Sequence, residues 1–176
     1  IQDVEVFVGI LPCSSYTYVE ASLSQRREDF INSVNNCFSF LGGSTKAIVP
    51  DNLKSAVSKA SKYEPILNKT LKDLALHYGC AINPTRSYSP QDKAMVEGAV
   101  KLVYQRIYFP LRNMTFFSLD ELNAQLRIEL EKYNAYLMET YQASRRKLFV
   151  DLEQQYLQPL PSEPYQIKHY KRAKVQ

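Results

Sequence analysis

The sequence predicts an α/β protein in which a mixed sheet is flanked by helices and followed by a helical extension. Three observations carry that prediction. Two β-branched runs near the start are joined by turn residues, short apolar runs then alternate with segments of helical period, and the last third of the chain is helical in pattern.

Val4 to Leu11 is apolar on both alternating faces, as for a central strand covered on both sides. Pro12-Cys13-Ser14-Ser15 is turn chemistry, and Tyr16 to Ala21 reads as the second strand of an antiparallel hairpin. Ser24 is placed to cap a helix over Arg26 to Phe40, whose Phe30, Val34, Cys37 and Phe38, with Leu41 just beyond, share one stripe. Gly42-Gly43 stops it. Ala47 to Val49 reads as a buried strand ended by Pro50. Helices are predicted over Leu53–Ser61 and Asn68–Tyr78, with Lys62-Tyr63-Glu64-Pro65 as a break between them. Cys80 to Asn83 is a further short strand, and Pro84 to Pro90 a polar loop. A long helix runs from Pro90 or Gln91 to about Tyr108. Another, Ser118 to about Met138, opens on a capping box with Ser118 at N-cap and Glu121 at N3. Its stripe is Leu119, Leu122, Leu126, Leu130, Tyr133 and Leu137. Ser144 to Tyr156 forms a last helix, Pro159 to Pro164 is linker-like, and the basic stretch Tyr165–Gln176 is a solvated end or the first strand of a small domain.

A chain of 176 residues can bury one core with an appendage. It carries no run long and apolar enough to cross a bilayer and no signal peptide, so no membrane partner is expected. It begins at Ile1 within a strand-like run, as a fragment of a longer protein would. A net charge of +4 is compatible with nucleic acid but not diagnostic of it. Cys13, Cys37 and Cys80 are odd in number and set among apolar residues, which predicts reduced thiols in a cytoplasm. His77 and Cys80 find no second ligand pair, which excludes structural zinc.

The candidate chemistry lies in two carboxylates. Asp51 follows the Ala47–Val49 strand, and the carboxyl edge of strands is where ligands gather in α/β folds. Glu97 lies about two turns into the long helix. Two such acids, with a third, can hold a pair of Mg²⁺ ions about 3.5–4 Å apart for phosphodiester chemistry. Each has an alternative reading. Asp51 also suits a helix N-cap, and Glu97, with Lys93 and Lys101 four residues either side, suits an exposed charge ladder.

Ile48-Val49-Pro50-Asp51-Asn52-Leu53-Lys54, Tyr63-Glu64-Pro65, His77-Tyr78-Gly79 and Asp92-Lys93-Ala94-Met95-Val96-Glu97 occur in one order. Together with Phe117 to Asn123, Ser144-Arg145-Arg146 and Pro159-Leu160-Pro161, they resemble the catalytic domain of IstA-type insertion-sequence transposases of the DDE integrase/transposase group. The resemblance covers nearly the whole chain and implies an RNase H-like core over residues 1–112 without its first strand. A helical extension over 113–158 would follow, then a linker and the start of a further small domain over 159–176. It implies Asp51 and Glu97 as the second and third acids of a metal-binding triad, served by Mg²⁺, with Mn²⁺ as the alternative. The first Asp would lie upstream. Asp3 belongs to the approach to the second strand and is not assigned that role, so the chain alone is expected to be inactive.

The implied activity is DNA end cleavage and strand transfer of an insertion sequence in the bacterial cytoplasm, at the nucleoid. The implied partners are transposon-end and target DNA, further copies of the chain and an IstB-like AAA+ ATPase. Candidate DNA contacts are Lys54, Arg86, Lys93 and Lys101 to phosphates, Asn52 and Tyr88 to sugar or base, and Arg145 and Arg146 along the backbone. Each also reads as an ordinary surface residue. Two other classes compete: a non-enzymatic DNA-binding and assembly module with an incomplete triad, and another RNase H-like nuclease. The helices after Glu97 argue against the nuclease.

Overall fold

The computed structural model describes residues 2–50, 64–82 and 90–168. Strands β1 (Glu5–Ile10) and β2 (Thr17–Ser22) form the expected antiparallel hairpin, with Glu5 opposite Ser22 and Ile10 opposite Thr17. Its tip is held from far along the chain. The Glu153 carboxylate accepts from the N–H groups of Cys13 (2.9 Å) and Ser14 (3.0 Å) and also contacts the Ser14 hydroxyl. β1 is not the doubly covered strand that its composition predicts. Val6 is 36% exposed, because among the described residues only β2 pairs with β1.

Helix α1 (Arg27–Leu41) buries Val34, Cys37, Phe38 and Leu41 of the predicted stripe, with Ile31 in addition, while Phe30 is only half-buried. Arg26 rather than Ser24 is its N-cap residue, and the Ser24 hydroxyl instead accepts from the Arg26 N–H at 3.2 Å. At the other end Gly42 turns left-handed (φ 76°), and the Gly43 N–H donates back to the Phe38 carbonyl at 3.2 Å. That pattern satisfies a terminal carbonyl, and glycine adopts the conformation without a Cβ penalty.

β3 (Ala47–Ile48) and β4 (Ala81–Ile82) pair in parallel, in a sheet separate from the hairpin. Between them α2 (Glu64–Tyr78) starts earlier than predicted. Pro65 was read as a breaker, but at the first turn of a helix it loses no intrahelical hydrogen bond. The predicted Leu53–Ser61 helix lies outside the described residues.

The long helix after the proline loop is continuous but not uniform. α3 (Pro90–Val103) passes into a π-helical turn, Tyr104–Tyr108, and then into α4 (Phe109–Leu111). Pro110 has no N–H for the α-helical ladder and its ring crowds the carbonyl four residues back. The wider turn just before it carries the helix past that residue.

α5 (Leu119–Ala135) opens on the predicted cap. The Glu121 N–H donates to Ser118 Oγ (3.1 Å), and the Glu121 carboxylate accepts from the Phe117 N–H (2.8 Å). Leu126, Leu130 and Tyr133 are buried, but the helix ends before Leu137. Leu137, 55% exposed, instead begins a two-residue strand, β5 (Leu137–Met138), which pairs with β6 (Ala143–Ser144). α6 (Arg145–Leu148) then runs into a second π-helical turn, Phe149–Glu153, and a 3₁₀ turn, Gln154–Tyr156.

α5 closes the outer edge of β2 in an unusual way. Asn134 accepts from the Thr17 N–H (3.1 Å) and donates to the Thr17 carbonyl (2.8 Å). Asn123 does the same at Ala21, at 2.7 and 2.9 Å. Two carboxamides thus stand in for a neighbouring strand and leave no open edge at those residues.

The core joins both sheets to the helices. Tyr16 is stacked between Phe149 (4.5 Å between ring centres) and Phe40 (5.3 Å), while Ile31, Leu74, Ile107, Leu126 and Leu130 are almost wholly buried. Each such aliphatic side chain contributes about 1.5–3 kcal/mol by leaving water. The proline-rich segment after Tyr156, read as a linker, lies against this core. Ser44 and Gln158 exchange both backbone hydrogen bonds, and Tyr165 is buried beside Tyr78 and Asn35.

Asn134→Ala leaves the buried N–H and carbonyl of Thr17 without partners. It should lower unfolding free energy by about 2–4 kcal/mol in urea titration, and the half-buried Asn123→Ala by less. The thiols give a second test. Burial pushes Cys37 up to about 12. The folded state therefore keeps a proton that the unfolded chain gives up at its ordinary thiol range, so this contribution to stability is full below about pH 8.5 and declines as pH rises toward 12. Below that range a thiol reagent should modify the exposed Cys13 in the native protein and reach Cys37 and Cys80 only after denaturation.

Candidate functional site

The parallel pairing of β3 with β4 sets the geometry of the candidate site. Both strands end at the same edge of their sheet, Ile48 beside Ile82. In sequence Asp51 follows β3 by three residues, and Glu97 lies on α3, the next described element after β4. Carboxyl ends of parallel strands are the usual ligand edge of α/β sheets.

Of the sequence-predicted residues, Glu97, Lys101, Arg145 and Arg146 have described side chains. Asp51, Asn52, Lys54, Arg86 and Tyr88 lie outside the described residues, as does the side chain of Lys93. Glu97 is exposed on α3 and lines an open cavity of about 500 Å³ together with Val100, Lys101, Tyr104 and Gln105. These positions follow one another at helical spacing, so one face of α3 and its π-helical continuation forms the whole wall. Tyr104 is 67% exposed and meets Tyr108 edge-on, 5.2 Å between ring centres. Tyr104 and Gln105 belong to no motif in the sequence, although both fall on the Glu97–Lys101 stripe.

A carboxylate at an open cavity is a hard oxygen donor with room for a hydrated ion, which fits Mg²⁺. Among the described residues no group of three or more His, Cys, Asp or Glu side chains could hold a metal, so a complete set needs residues beyond them.

The two arginines near the chain's last helix are placed differently from each other. Arg146 is half exposed and pairs with Glu131 across the surface of α5. Arg145 is inside. It is 7% exposed, its guanidinium lies 3.9 Å over the Tyr133 ring, and it donates to the Tyr133 carbonyl at 3.4 Å. No helix among the described residues is long and apolar enough to cross a membrane.

No protein-family model matches the chain. Individual proteins do. A protein of Sinorhizobium fredii named as a transposase is 45% identical over 175 residues, covering 99% of this chain and 34% of the relative. One of Burkholderia multivorans, named for insertion sequence IS408, is 35% identical over 98% of this chain and 33% of its own length. The IS21 transposase of Pseudomonas aeruginosa is 28% identical over 95% of this chain and 42% of its own length. This chain is a homologue of insertion-sequence transposases.

It spans about a third of the length of the Sinorhizobium and Burkholderia relatives. Solved structures give the fold. The catalytic core domain of BIV integrase matches with a TM-score of 0.61 at 13% identity, over 86% of this chain and 89% of that one. The HTLV-2 integrase catalytic core domain in complex with magnesium matches with a TM-score of 0.57 at 15% identity, over 83% and 91%. The transposase homologue therefore has the RNase H-like fold of the integrase catalytic cores.

Proposed function

We propose that this chain is part of the catalytic core of an IstA-type DDE transposase, a polynucleotidyl transferase that cleaves the ends of an insertion sequence and joins them to target DNA. The observation that carries the reading is the parallel pairing of β3 with β4, whose carboxyl ends lie side by side, with Asp51 three residues after one strand in sequence and Glu97 on the helix that follows the other. Homology to transposases along almost the whole chain supports it. In the proposed division, residues 1–112 are the core, 113–158 the helical extension packed onto it, and 159–176 the lead into a further small domain.

Asp51 and Glu97 would hold Mg²⁺, which supplies Lewis-acid stabilisation to a phosphodiester displaced by water or by a 3′-hydroxyl. Glu97 suits this because its carboxylate stands on a regular helix rather than a loop, which fixes its direction. Lys101, one turn further along the same wall, is placed to hold a neighbouring DNA phosphate, a contact that positions DNA without reading its sequence. Asn52, Lys54, Arg86, Tyr88 and Lys93 complete the proposed DNA contacts, with Arg146 further away. Partners in this reading are transposon-end and target DNA, further copies of the chain and an IstB-like ATPase, acting at the nucleoid.

Strand transfer by the full-length parent protein, with pre-cleaved element ends and Mg²⁺, tests the assignment. Asp51→Asn and Glu97→Gln should each lower joining by about a hundred- to a thousandfold, the scale of removing one preorganised electrostatic partner of a transition state, and leave DNA affinity in place. Joining that survives in either variant would overturn the site. A wild-type protein that binds the ends but never joins them would make the chain a binding and assembly module.

A further inference from the structure

A second cavity, of about 190 Å³, lies where the π-helical turn after α3 meets the end of α5 and the start of α6. Arg106, Lys132, Tyr133, Tyr136 and Arg145 line it with Leu102 and Met138, and no acidic residue does among the described residues. Lys132 is already paired, its ammonium 2.7 Å from the Glu129 carboxylate. The two arginines are not. Arg106 lies over the Tyr136 ring at 5.2 Å, and Arg145 over Tyr133 at 3.9 Å, and neither forms an ion pair among the described residues. Arg145 is more than nine-tenths buried, and its Nε has no hydrogen-bond partner.

A buried guanidinium with an unused donor and no carboxylate is costly unless an anion completes it. Both guanidiniums also act on the Tyr133 phenol. Burial raises its pKa, while Arg145, Thr17 and, least, Arg106 oppose the rise. Two forks from different helices, converging beside a phenol, suit an ion with oxygens on several sides. A planar carboxylate engages a single fork; a tetrahedral oxyanion can engage both.

We infer that this cavity is a binding site for one phosphate group, held by Arg106 and Arg145 with Lys132 at its rim. Arg106 is nine residues beyond Glu97 on a continuous helical run, roughly 14 Å along the axis and about half a turn around it. The phosphate bound here is therefore not the one undergoing reaction at Glu97. Its source is a DNA backbone or free phosphate, and the inference does not depend on the transposase reading.

The exposed Arg106 allows a test that leaves the fold alone. In thermal unfolding and calorimetric titration at constant ionic strength, inorganic phosphate should stabilise the wild-type protein saturably and chloride should not. Arg106→Gln should weaken phosphate binding about 10- to 100-fold, the scale of one charge-assisted hydrogen bond, with its Tm in chloride unchanged. Duplex DNA binding across a salt series separates the sources. A salt slope reduced by about one in Arg106→Gln assigns the site to the DNA backbone, and an unchanged slope assigns it to free phosphate. Wild-type protein that responds to phosphate no more than to chloride, or an Arg106→Gln protein that binds phosphate equally well, would overturn the inference. Loss of strand transfer in Glu97→Gln is read separately, so either proposal can fail without the other.

Discussion

The structure depends on the seating of α5 against the outer edge of β2. Asn134 and Asn123 each give and take one backbone hydrogen bond with Thr17 and Ala21, at two positions four residues apart on the strand. Thr17 and Asn134 are fully buried, so these bonds form away from water, where an unmade bond is most costly. The seating also fixes which apolar face of α5 turns inward. Leu126, Leu130 and Tyr133 enter the core between the two asparagines, and the Arg145 side chain stacks on Tyr133 from the next helix. A helix held in this way needs little intrinsic helix propensity and allows no slippage along the strand.

From that frame the candidate site is built outward. The parallel β3–β4 pair is only two residues long on each strand, and so is fixed less by its own hydrogen bonds than by what surrounds it. Ser44 and Gln158 bridge their backbones, the Ser44 hydroxyl donates to the Tyr78 carbonyl, and the Gln158 carboxamide donates to Gly79. The segment entering β3, the turn entering β4 and the chain after the last helix are tied at one point. The carboxyl edge of the β3–β4 pair is thereby held from behind by residues far away in sequence.

The elements legible in the sequence were those with a local cause. The hairpin follows from two β-branched runs and a proline turn, α1 from its stripe and its two glycines, and α5 from Ser118 and Glu121. What could not be read has a non-local cause. Nothing near Asn123 or Asn134 announces that each will occupy a strand edge over 100 residues away. Pro159, Leu160 and Pro161 have the composition of a linker, but Tyr165 anchors that stretch because Asn35 and Tyr78 offer it partners. Asp51 and Glu97 are proposed from the resemblance; no spacing rule distinguishes Glu97 from an ordinary member of a Lys–Glu ladder. Arg145 and Arg146 are adjacent in sequence and alike in chemistry, yet one is buried and one exposed, since neighbouring helical positions face different sides.

The contrast between those arginines bears on why the chain tolerates a buried cation at all. The Arg146–Glu131 pair is half exposed, and such pairs contribute about 0–1 kcal/mol. Arg145 gives up hydration and receives in return a ring face and one long hydrogen bond to a carbonyl. Those contacts replace only part of what water offered its guanidinium. A methionine of similar length would fill the space at lower cost, so packing does not explain the residue. An anion does, because the low local dielectric that penalises an unpaired charge strengthens the attraction once a counter-ion enters. A cavity with two unpaired guanidiniums is thus held slightly unfavourable when empty and favourable when filled. This arrangement links the stability of the α3–α5–α6 junction to a phosphate, on the side of the helix facing away from Glu97.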